Sequence, residues 1–162
     1  MKKFAYLGWF ILLVFCTTIV SKKESLTDIE SLQQKTSFID LKNEKINLKL
    51  FKGKKIIISH WATWCSPCIK EMPSLIEAQE ILKNFNYVFL LVSDEKISKI
   101  HEFKNDTKFD FNFLKSTKSN EVIGVYSLPT SYIFDEEGMK VKTIIGTIPW
   151  SSKQTIQKLK NL

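Results

Sequence analysis

Residues 59–73 read SHWATWCSPCIKEMP and set two thiols, Cys65 and Cys68, three positions apart. An apolar, β-rich run at 55–61 precedes them and a helical pattern at 68–85 follows, so both cysteines fall at the start of a helix. The helix dipole and the unpaired N–H groups of a first turn favour negative charge there. They can lower a cysteine pKa from about 8.5 to between roughly 3.5 and 7.5. A dithiol so placed can carry out thiol-disulfide exchange.

Upstream, the continuous run Ile56-Ile57-Ile58 is that of a central strand covered on both faces. Downstream, Met72, Leu75, Ile76, Ala78, Ile81, Leu82 and Phe85 form an apolar stripe, with Lys70, Glu77, Glu80 and Lys83 largely opposite. Pro73 removes one backbone donor and predicts a kink in the second turn. Before this unit, alternating runs at 38–41 and 45–50, separated by Asn43 and Glu44, predict a β-hairpin. After it come a buried strand at 87–92, a helix at 94–105, a short strand at 111–114 and a helical turn at 119–125. A second hairpin, 130–134 with 139–145, turns through Asp135-Glu136-Glu137-Gly138. A helix at 151–159 closes the chain, with Ser151 and Gln154 as its expected capping box. Strands alternating with helices and ending in an antiparallel pair imply an α/β fold, a mixed central sheet flanked by helices on both faces.

The 162 residues allow one domain. The net charge of +7 comes entirely from lysine, with no arginine, and falls to +5 without Lys2 and Lys3. Without arginine, and without a lysine cluster interleaved with aromatics, nucleic acid is excluded as a partner. Lys2 and Lys3 followed by seventeen uncharged residues at 4–20 have the layout of a membrane-targeting segment. That length lies at the lower limit for a span and above a usual cleavable core, so anchor and signal peptide both stay open. Ile19-Val20-Ser21 is a poor cleavage site, which favours an uncleaved anchor in residues 1–21. Cys16 invites a lipoprotein reading, which the bulky Phe15 before it opposes. Residues 22–35, with Leu26, Ile29 and Leu32 at threefold spacing and Ser25 or Thr27 as cap, predict a short helical stalk between membrane and domain. The domain itself is expected over 36–162.

Beyond the targeting segment only Cys65 and Cys68 remain. A bridge across two residues removes little chain entropy and would be a poor staple. No metal is expected, because His60 lies in a strand pattern, His101 lies far along in a polar helix, and there is no second CxxC.

The element order, the Trp64-Cys65-Ser66-Pro67-Cys68 core, Pro73, and the step Leu128-Pro129-Thr130 before an apolar strand resemble the thioredoxin fold. More narrowly, they resemble the TlpA/ResA-type, membrane-tethered thiol-disulfide oxidoreductases of bacteria. The resemblance covers about residues 36–160. The stretch from Val92 to Pro129 is similar to the helix and strand that this family inserts.

The resemblance makes Cys65 the exposed nucleophile, Cys68 the more buried resolving thiol, and Cys65–Cys68 the redox disulfide. It makes Pro129 a cis-proline whose neighbour Leu128, with Thr130, pairs with an extended substrate, and places Trp64, Ser66 and Pro67 on the rim. Pro67 offers no N–H to the thiolate, which favours a reductant. The family carries a glutamate where Glu71 stands, at i+3 from Cys68, able to tune the thiols and carry protons. Thioredoxin's buried acid, six residues before the first cysteine, is replaced by Ser59, so a proton relay shifts to Glu71 or water. His60 is expected to be a packed strand residue, and Trp150 rim or core without a chemical part.

The implied function is extracytoplasmic reduction of protein disulfides, for example in cytochrome c maturation, re-reduced by a transmembrane dithiol donor and needing no cofactor. The protein would be anchored in the cytoplasmic membrane, or secreted if cleaved. Two alternatives stand beside it: a disulfide oxidase or isomerase, and a tethered binding or metallochaperone module. The P-x-x-x-T-x-x-C run of peroxidatic relatives does not occur.

Overall fold

The computed structural model describes residues 26–107 and 109–162. The targeting stretch at 4–20 and Cys16 lie outside them. Among the described residues no helix is long and apolar enough to cross a membrane.

In chain order, α1 (Asp28–Lys35) precedes a short antiparallel pair, β1 (Phe38–Ile39) and β2 (Lys45–Ile46). There follow β3 (Lys55–His60), α2 (Ser66–Leu82), β4 (Tyr87–Ser93), α3 (Ile97–Thr107), β5 (Asn112–Ser116), β6 (Thr130–Phe134), β7 (Lys140–Ile145) and α4 (Lys153–Lys160). The strands form one sheet in the order β2-β1-β5-β4-β3-β6-β7. Its centre, β3 with β4 and β4 with β5, is parallel; the remaining pairs are antiparallel. This is the expected mixed sheet. β3 sits inside it because residues 56–60 are buried on both faces, which needs helices above and below.

Two cores result. On one face Ile57, Phe89, Phe113 and Ile133 pack under α2, α3 and α4 through Met72, Leu75, Ile100 and Ile156. On the other, Ile56, Ile58, Leu90, Val92 and Phe134 are covered by Ile29 and Leu32 of α1, by Leu48, and by Ile123 and Val125.

In its described part, from residue 26 on, the stalk expected over residues 22–35 is corrected by the second core. Thr27 caps α1 in a reciprocal capping box with Glu30, but the apolar stripe of the helix lies on the sheet. The Ile29 amide donates to the Gly138 carbonyl at 3.0 Å and Lys140 N–H to Asp28 Oδ2 at 2.8 Å. Gly138, at φ +83, lets the β6–β7 turn approach so closely that a Cβ there would lie 2.7 Å from Ile29 Cγ2. The reason is burial: without α1 the apolar side chains of that face would meet water.

Smaller differences have local causes. The first hairpin keeps only two residues per strand, since residues 48–51 wind into a 3-10 turn capped by Asn47, while Asn43 takes the left-handed turn position at φ +68. Ser152, not Ser151, caps α4 by accepting from Thr155 N–H at 3.2 Å. α2 starts at Ser66, two residues before the expected point, with Pro67 in its first turn where no amide partner is lost.

Candidate active site

β3 delivers the chain to the start of α2 through the turn Trp61-Ala62-Thr63-Trp64. The Trp61 amide donates to the Val92 carbonyl at 3.0 Å, and the Cys65 amide to the Ala62 carbonyl at 3.0 Å. Thr63 is gripped twice by Glu95, through its amide at 2.6 Å and its hydroxyl at 2.9 Å. Sequence reasoning missed Glu95. Its only signal was an acid just past β4, where α/β folds gather their site loops.

Cys65 is the N-cap of α2, and its sulfur receives the Cys68 N–H at 3.3 Å. Pro67 supplies no such donor. Cys65 and Cys68 form a disulfide. Exposure does not separate them: Cys65 is 4% exposed and Cys68 2%, although the first was expected to be open to solvent. As N-cap, Cys65 folds back over the first turn and packs with Trp61 and Ala62 in the core. The exposed rim is Trp64 at 72%, with Ser66 and Pro67 also exposed.

β6 enters beside this turn, because Thr130 pairs with His60 at the end of β3. The Leu128–Pro129 bond is cis. The Pro129 carbonyl accepts from Gly146 N–H at 2.8 Å, and Thr130 Oγ1 donates to the Ser127 carbonyl at 2.7 Å. Leu128 between them is half-buried, and its main chain makes no hydrogen bond among the described residues.

Glu71, one turn along α2 from Cys68, is only 7% exposed. Burial pushes its carboxyl up from the ordinary 4.5 to about 7, against the pull of the Trp150 indole and the Ile148 amide. Trp150 Nε1 donates to Glu71 Oε2 at 3.0 Å. Trp150 thus lies in the core, one of the two places expected of it, with its indole on the Glu71 carboxyl. A cleft of about 390 Å³, lined by Pro67, Lys70, Glu71, Ser74 and residues 147–149, opens beside this pair. Ser59 is buried and holds no titratable group in the place of thioredoxin's acid.

Glu71 therefore has a stability signature. Its folded pKa lies above its unfolded one, so the folded chain holds the extra proton between about pH 4.5 and 7, and stability falls as pH rises through that window. Glu71→Gln, whose amide carbonyl can still accept from the indole, is expected to match the parent chain near pH 4 and exceed it in stability near pH 8. Urea unfolding at the two pH values reads this, and a constant difference between them would refute it.

His60 is fully buried on β3, edge-on to Tyr132 at 5.3 Å between ring centroids. Among the described residues neither ring nitrogen closes a hydrogen bond, although the nearby Asn120 side chain opposes the effect of burial. Burial holds its pKa down at about 4, so it stays neutral at physiological pH, a packed strand residue as expected.

The chain's residues 23–144 match the AhpC/TSA family model. Over 113 residues it is 40% identical to the thiol-disulfide oxidoreductase ResA of Bacillus cereus; the match takes in 66% of this chain and 64% of that protein. The chain thus spans less than two thirds of that relative's length. Over 160 residues it is 34% identical to the thioredoxin-like protein YneN of Bacillus subtilis, covering 95% of this chain and 89% of that protein. Its fold matches a thioredoxin-family thiol:disulfide interchange protein from Chlorobium tepidum, with a TM-score of 0.64 at 21% identity over 76% of this chain and 91% of the other. With a thioredoxin-like fold and a CxxC pair at the strand-to-helix junction, the chain belongs to the AhpC/TSA family.

Proposed function

We propose that this chain is a thiol-disulfide oxidoreductase that reduces disulfides of protein substrates on the outer side of the cytoplasmic membrane. One observation carries the reading: Cys65 caps α2 with its sulfur on the Cys68 N–H, and the two close a disulfide in the substrate-facing turn. The names of the relatives point the same way. The apolar stretch at 4–20 behind Lys2 and Lys3 supports export and tethering.

In the reduced chain the Cys65 thiolate attacks one sulfur of a substrate disulfide. A Cys65–substrate bond forms, the substrate bond breaks, and one substrate thiolate leaves and takes up a proton. Cys68 gives its proton to the Glu71 carboxylate and attacks the Cys65 sulfur. The Cys65–Cys68 bond forms, and the second substrate thiolate leaves to be protonated. The substrate gains two electrons and two protons, and the dithiol is oxidised. A dithiol donor, in the family's manner a transmembrane carrier, must restore it. Leu128, with its main chain unpaired among the described residues beside Pro129, suits strand-like pairing with an extended substrate segment, and Trp64 gives that segment an apolar rim.

Reduction is favoured over oxidation because the Cys65 sulfur faces the Cys68 amide but no amide from Pro67, leaving the thiolate weakly stabilised. Titration of the Cys65–Cys68 couple against thiol redox buffers tests the direction. A midpoint below about −250 mV is expected, and one near about −120 mV would replace the reductase with an oxidase.

A further inference from the structure

Trp150 is fully buried, and its indole N–H ends on a carboxylate 79 residues away in sequence. A buried indole is usually satisfied by any nearby acceptor. This fold does not require even that: Trp61 is equally buried and its Nε1 has no partner among the described residues. The Trp150–Glu71 bond also joins the segment before α4 to α2 one turn beyond Cys68, where residues three apart share a face. Indole only donates, so it holds an ionised carboxylate more strongly than a protonated one, whose carbonyl oxygen accepts only a neutral bond. The cleft beside the pair gives the carboxyl its way to water, between Pro67 and Lys70 on one side and Thr147 and Pro149 on the other.

We propose that Trp150 is a positioning residue for the resolving step: its indole N–H clamps the Glu71 carboxyl at the cleft beside the dithiol, so that the segment leading into α4 sets when that carboxyl accepts the proton of Cys68. The proposal rests on the reading of Glu71 as the acceptor of that proton. Removing the indole N–H takes away the first of the two donors that oppose burial, so Glu71 then holds its proton to higher pH.

The test has two readouts in the full chain. In protein carrying 15N-labelled tryptophan, the Trp150 indole resonance is expected to shift through an inflection near neutral pH that Glu71→Gln abolishes. A Trp150 signal that stays flat between about pH 5 and 9 overturns the proposal without any change to Trp150 itself. In the second, the Cys65 mixed disulfide with thionitrobenzoate is formed, and release of the coloured thiolate by Cys68 is followed against pH. Trp150→Phe is expected to move the inflection of that profile up by about one pH unit, the scale of one hydrogen bond to a charged group. Combined with Glu71→Gln it should behave as Glu71→Gln alone. A Trp150→Phe rate lowered evenly at every pH makes Trp150 structural only and sinks the proposal, while the Glu71 reading stands. If Glu71→Gln leaves the profile unchanged, the Glu71 reading falls and the proposal falls with it. Should Trp150→Phe fail to fold, the indole titration decides.

Discussion

Cys65→Ser is expected to abolish reduction of insulin disulfides by the dithiothreitol-driven chain, a loss of at least about 10³-fold, because exchange needs a thiolate and serine offers a neutral hydroxyl. Cys68→Ser is expected to behave differently. It keeps the attacking sulfur and loses the resolving one, so a Cys65–substrate mixed disulfide should accumulate and be seen by mass spectrometry of the unreduced protein. Retention of the parent rate in Cys65→Ser would remove the exchange mechanism altogether. A mixed disulfide through Cys68 in place of Cys65 would reverse the assigned order. That second outcome has a physical interest of its own, since both sulfurs are buried in the disulfide. The order rests on the cap position of Cys65 and the amide it faces, not on exposure.

The largest expected loss of stability comes from Trp61→Ala. The ring is almost wholly buried, 4.6 Å from the ring centroid of Phe103 and 5.3 Å from that of Phe113, at the end of β3 where the chain turns toward Cys65. Truncation leaves a cavity on the α3 side of the sheet and should cost about 3–5 kcal/mol. For a chain of this size that lowers Tm by about 10 °C or more. Trp61→Phe should cost far less than its lost volume suggests. It also removes an indole N–H that is buried without a partner among the described residues, a standing penalty of about 1–3 kcal/mol. Denaturant unfolding with an unchanged slope checks both variants. A Trp61→Phe variant as unstable as Trp61→Ala would mean that the indole N–H is satisfied after all.

Most of the scaffold was legible before any coordinates, because it follows from local patterns. The run Ile56-Ile57-Ile58 announced a strand covered on both faces, and Asp135-Glu136-Glu137-Gly138 announced the last hairpin. The thiol pair behind a strand and ahead of an amphipathic helix announced that both cysteines stand at the start of α2. Boundaries slipped where side-chain caps competed: Asn47 drew residues 48–51 into a 3-10 turn, and Ser152 took the cap expected of Ser151.

Other features were out of reach because they depend on partners distant in sequence. The stripe of Ile29 and Leu32 predicted a helix but not what it would cover, and a free stalk and a docked helix show the same periodicity. The grip of Glu95 on Thr63 joins residues 32 apart. Spacing placed Glu71 on the face of Cys68, and said nothing of the indole that meets it.

By itself, then, the sequence determined the chemistry on offer and the elements that carry it: two thiols at a helix start, a carboxyl one turn on, and a proline at the head of β6. Reactive atoms and short-range periodicity are properties of neighbouring residues. Tertiary structure alone decided that α1 closes the second core, that both sulfurs lie buried, and that Glu71 titrates near neutrality under the hold of Trp150. Burial and long-range hydrogen bonds set proton affinity and exposure, and both exist only once residues far apart in the chain are packed together.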